Sequence, residues 1–135
     1  MTKIKLLALT AALAVSALVP AAAQAEYWKD SRSTTGAAAT CSVSTWDRYV
    51  RDQYARITCS LKDTSCDSHS VYIQWWQDGY GKVRLNNTNG CNWTTFPSDT
   101  RYNGDGAFST LKWRVCRDIQ RGRDNCSSTV VHYTY

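Results

Sequence analysis

Two histidines, six cysteines and a set of aspartates are the residues of this chain most readily put to chemical work. His69 and His132 on a small basic protein raise an acid–base pair of the ribonuclease kind, with a lysine nearby. Each also has a plainer role. His132 lies between Val131 and Tyr133 in an alternating run, and His69 sits in a polar turn beside Asp67. Asp118 and Asp124 stand among arginines and read as ion-paired loop charges, which contribute little. Beyond residue 25 the only glutamate is Glu26. No cysteine spacing of the C-x2-C kind marks a zinc site, and no glycine-rich loop marks a phosphate site. The expectation is a protein that is not an enzyme and carries no metal or cofactor.

The aromatic residues say more. Six tryptophans and eight tyrosines exceed what a small core can hide. Trp75 and Trp76 are adjacent in an extended run, so they point to opposite faces. With Trp75 inward, Trp76 and Tyr72 share the other face, near Tyr80 and Trp93. Such a surface fits a protein interface, or a sugar platform with Gln74, Gln77, Asn86 and Asn87 beside the rings. Tyr27 and Trp28 are a further pair of candidate anchors. Arg117, Arg121 and Arg123, inside a loop bracketed by two cysteines, are candidates for gripping an acidic partner.

Compartment decides how the cysteines are read. Lys3 and Lys5, an apolar run from Ile4 to Pro20 and the small-x-small pattern Ala23-Gln24-Ala25 describe a secretory leader over residues 1–25. The mature part then begins at Glu26 and has 110 residues, enough for one domain. All six cysteines lie in it, and an even count in a secreted chain of this size means three disulfides. Losing Lys3 and Lys5 lowers the net charge from +5 to +3, too weak to call for nucleic acid. No later stretch is apolar enough to span a bilayer, so neither membrane nor nucleic acid is an expected partner.

The elements that position these residues follow a period of two. In residues 54–61, Ala55, Ile57, Cys59 and Leu61 face one way. Residues 71–77 alternate likewise, and Asp78-Gly79 with Gly81 turns the chain into a strand at 82–86. Residues 111–117 and 129–135 form a third pair, while 86–90 and 98–106 read as turns. The nearest approach to a helical stripe is 46–57, through Trp46, Tyr49, Val50 and Tyr54. Residues 26–40 end in small and hydroxylic residues with little to bury and read as a flexible N-terminal arm ahead of a domain at 41–135. The fold expected is all-β: a small, disulfide-stabilised antiparallel sandwich or barrel. Cys116 and Cys126, at the ends of a glycine-bearing loop between two strands, should pin a hairpin. The remaining four cysteines allow three pairings, among which Cys66–Cys91 with Cys41–Cys59 is favoured.

The segments DSHSVYIQW at 67–75, N-x-x-G at 87–90 and LKWRVCRD…DNCSS at 111–128 resemble a group of small secreted actinobacterial proteins that includes the adaptor subunit of umbrella toxin particles. The resemblance implies a β-sandwich adaptor that links lectin subunits to a large toxin chain, its N-terminal extension taking part in docking. Cysteines 41, 59, 66 and 91 are not among the residues that carry the resemblance. A carbohydrate- or cell-wall-binding domain, and a small secreted toxin or hydrolase inhibitor, are the other functions the residues allow.

Overall fold

The computed structural model describes residues 25–49, 52–103 and 108–134. The leader proposed at 1–25 lies outside these residues except for Ala25. Alternation of apolar and polar side chains drives ten strands: β1 Tyr27–Thr34, β2 Ala37–Tyr49, β3 Asp52–Asp63, β4 Val71–Gln77, β5 Val83–Asn86, β6 Thr94–Thr95, β7 Ser98–Asn103, β8 Thr110–Arg117, β9 Asn125–Cys126 and β10 Val130–Tyr133. They make two antiparallel sheets. The first runs β1-β2-β3, with β6 and β7 both paired to the far edge of β3; the second runs β10-β8-β4-β5, with β9 also on β8. The result is a sandwich of two open sheets, not a closed barrel.

The inward residues of the central strands form one core. Val43, Ala55, Ile57 and Leu61 of the first sheet meet Ile73, Trp75, Trp113 and Val115 of the second, all at most 1% exposed. The disulfide Cys41–Cys59 joins directly opposed residues of β2 and β3 inside this core. Cys116–Cys126 joins β8 to β9 and closes the 117–125 loop, while Cys66–Cys91 ties the segment after β3 to the second half of the β5–β6 connection. Bridges of this kind supplement a core that a chain of this length keeps small, each worth roughly 2–4 kcal/mol. Among the described residues no helix is long and apolar enough to cross a membrane.

Two segments depart from the sequence expectation. Residues 27–40 are not an arm; they form β1 and the start of β2, joined by the two-residue turn Thr35-Gly36. The small residues that suggested flexibility are what the sandwich requires there. Ala37 and Ala39 point inward beside the Cys41–Cys59 bridge and are buried. Gly36 has φ +85°, and a Cβ on it would stand 2.8 Å from Arg117 Cδ. The second departure is 98–103, expected as turn and found as β7. Its inward residues are polar, so hydrophobic alternation did not mark it. Asp99 accepts a 2.7 Å hydrogen bond from Trp75 Nε1, and Arg101 bonds both Asp99 and the Gly81 carbonyl. The described residues of the 46–57 segment are strand, 46–49 in β2 and 52–57 in β3, with no helix among them.

Strands β1 and β7 therefore seal opposite sides of the sandwich. On the β1 side, Trp28 stacks on the His132 ring with centroids 4.7 Å apart, and Thr34 Oγ1 donates to Asn125 Oδ1 at 2.9 Å. Asp30 Oδ2 lies 3.0 Å from His132 Nε2. Burial is the main influence on His132 and lowers its pKa below 6.5, with Asp30 opposing. The imidazole is thus neutral at pH 7 and serves as a packing surface.

Candidate binding surfaces on two opposite faces

Outward residues of β4 and β8 build the exposed face of the second sheet. Tyr72, Gln74 and Trp76 line up along β4, opposite Cys116, Arg114 and Lys112 of β8. Tyr72 is covered although it faces outward. The Arg84 guanidinium lies 3.6 Å over its ring, and its hydroxyl donates to Asp124 in the pinned loop. Burial, then that carboxylate, raises the Tyr72 pKa to about 12. The same bond, helped by the Ile119 amide, holds Asp124 below the usual carboxylate range and therefore ionised. Gln74 Oε1 accepts from Arg114 Nε at 2.9 Å. Trp76, half-buried, has Lys82 Nζ 4.8 Å and the Arg114 guanidinium 5.8 Å from its ring. Arg84 pairs with Asp118 at 2.5 Å, and Lys112 with Asp78 at 2.6 Å. Between the β4–β8 floor and residues 122–126 lies a cavity of about 560 Å3, lined by Tyr72, Gln74, Arg114, Arg123, Asp124 and Asn125 among others.

The exposed face of the first sheet has a different chemistry. The register places Trp46 beside Tyr54 and Tyr54 beside Tyr102, across β2, β3 and β7. Their rings face one another, with centroids 5.5 Å and 4.9 Å apart. Rings stacked along the sheet turn their edges, not their faces, to solvent, which suits a protein interface better than a sugar platform. One row away Tyr27, 65% exposed, bonds Ser42 through its hydroxyl, and Tyr102 is 53% exposed. The remainder of this face carries Ser31, Ser33, Thr40, Ser42, Ser44, Thr58 and Ser60, with the exposed cations Lys29, Arg56 and Lys62 spaced among them.

The candidates named from sequence thus divide. Trp76 and Arg123 share the second-sheet face, where Tyr72 also sits but is buried under Arg84. Trp28 belongs to the fold, stacked on His132. Arg117 is a structural clamp as well: it faces inward, packs on Gly36 and pairs with Asp67. Tyr80 and Arg121 are exposed at two loop tips, Arg121 with φ 65°. Of the amides considered for sugar contact, Gln77 is buried and Asn87 organises its own loop. Asn87 accepts from the Asn89 and Gly90 amides and donates to the Trp93 carbonyl at 3.0 Å. Trp93 itself is 67% exposed on the β5–β6 connection, not on the Trp76 face. His69 lines a cavity of about 270 Å3 with Asp63, Asn87 and Cys91, and His132 is not part of it. Sequence reading missed the Trp46–Tyr54–Tyr102 ladder, because it exists only in the cross-strand register. It also missed Arg114, whose place between Trp113 and Val115 did mark it as outward.

Fold and surfaces together define a disulfide-stapled β-sandwich whose two outer faces carry different side chains. In comparison with known proteins, the chain matches no family model and has no significant match among curated sequences.

Proposed function

We propose that this protein is a secreted, non-enzymatic adaptor, a rigid sandwich that holds two different ligands on its two outer faces. The observation that carries the proposal is the contrast between those faces. One presents an aromatic ladder with Tyr27 beside it, the other a basic, polar basin walled by a pinned loop. Exposed aromatics on a stiff sheet anchor protein interfaces at low entropic cost. Three disulfides and the leader pattern at 1–25 support an extracellular location. The resemblance to umbrella-particle adaptors supports a setting in which the chain links lectin subunits to a large toxin chain in an antibacterial particle.

The test uses the immobilised, oxidised mature chain in culture supernatant of the producing organism, with mass spectrometry of what is retained. The expected result is co-retention of larger secreted chains, lost when Tyr27 and Tyr102 are replaced by serine in a protein of unchanged melting temperature. Retention of the same chains by that variant would remove the first-sheet face from the account.

A further inference from the structure

We infer that the basin between β4, β8 and the 122–126 segment is a binding site for an acidic saccharide; this rests on the two-faced reading and names the ligand of its second face. The cavity, about 560 Å3, falls within the range of small-molecule sites, roughly 300–1,000 Å3. It is preformed. The Cys116–Cys126 bridge holds one end of the wall, Asp124 ties it to the floor through Tyr72, and Gly122 N bonds the Ile119 carbonyl at 2.9 Å. A site already ordered loses little entropy on binding.

The charges at the basin select the ligand. Arg84 is committed to Asp118 and to the Tyr72 ring, and Asp124 to the Tyr72 hydroxyl and the Ile119 amide. Among the described residues Arg114 hydrogen-bonds only the neutral Gln74, through Nε, although the Trp76 ring and the Asp124 carboxylate lie near enough to feel its charge. Arg123 has no ion pair there. Two guanidinium groups thus keep donors for an anion, and a carboxylate matches their fork. Gln74, Asp124 and Asn125 add the mixed acceptors and amides that hydrogen-bond sugar hydroxyls, and Trp76 continues the row along β4. An acidic peptide fits less well. Both strands of the floor are paired on both sides, so no free edge is offered to a peptide backbone, and the wall has few apolar groups for its side chains.

The experiment titrates the oxidised mature protein, by calorimetry, with a panel of uronic- and sialic-acid oligosaccharides, their neutral or methyl-esterified counterparts, and a hexa-aspartate peptide. Arg123→Gln, at an exposed position, is the main variant, and Arg114→Gln is the second. At least one acidic oligosaccharide should bind, with affinity falling tenfold or more on esterification and on Arg123→Gln. Four results would overturn the inference: no acidic member binding, equal binding of the ester, binding unaffected by both arginine variants, or arginine-dependent binding of the peptide alone. Each leaves the Tyr27/Tyr102 test of the first face standing, so the two failures are distinguishable.

Discussion

Tyr72 shows how far a single residue can be read. Its outward direction follows from the alternation of β4, yet it is buried, because Arg84 and the pinned loop close over it. No local pattern announces a loop that arrives from residue 124. Tyr72→Phe would leave the Asp124 carboxylate short of a donor and should destabilise the protein by about 1–2 kcal/mol in chemical denaturation. It should also loosen the basin wall. His132 gives a prediction in pH. Its folded pKa lies below the unfolded value of 6.5, so the unfolded chain takes up a proton first as pH falls. Stability from this group is fully present above pH 6.5 and is lost as pH drops from there through the folded pKa. Melting temperatures measured from pH 7.5 to 5 should fall, and His132→Gln should reduce the slope. Trp28→Ala, which removes the ring stacked on His132, should cost about 2 kcal/mol, below the value for a fully buried tryptophan.

At the scale of elements, strands with apolar alternation were legible and those without it were not. β3, β4 and β8 announce themselves through residues such as Ile57, Ile73 and Val115, and the Asp78-Gly79 turn places β5. β7 sets the half-buried Asp99 and Arg101 in a polar seam, which no hydrophobic period reveals. β1 and early β2 looked too small and polar to fold, but their alanines fit where the sheets approach closely. A chain beginning at Cys41 removes β1 and the first residues of β2, so it should melt far below the mature protein in circular dichroism. An unchanged melting temperature would return residues 26–40 to the role of an arm. Gly36→Ala is the milder version. The added Cβ meets Arg117 and the positive φ is strained, and the loss should be about 1–3 kcal/mol.

For the whole molecule, an all-β fold, the number of bridges and the Cys116–Cys126 loop were within reach of composition, period and cysteine spacing. Spacing alone left three pairings open for the other four cysteines. The division of labour between the faces was not within reach, because it depends on which strands become neighbours. Trp46, Tyr54 and Tyr102 are separated along the chain and meet only through β3. Arg114 and Arg123 meet over the basin only because Cys126 returns the loop to β8. The central claim is that each face takes its own ligand. Hydroxyl-radical footprinting of the aromatic side chains, in the mature protein with and without the secreted chains it retains, tests this most directly. The account predicts that Tyr27 and Tyr102 become protected while Trp76 keeps its reactivity. Protection of Trp76 with Tyr27 and Tyr102 still fully reactive would contradict it.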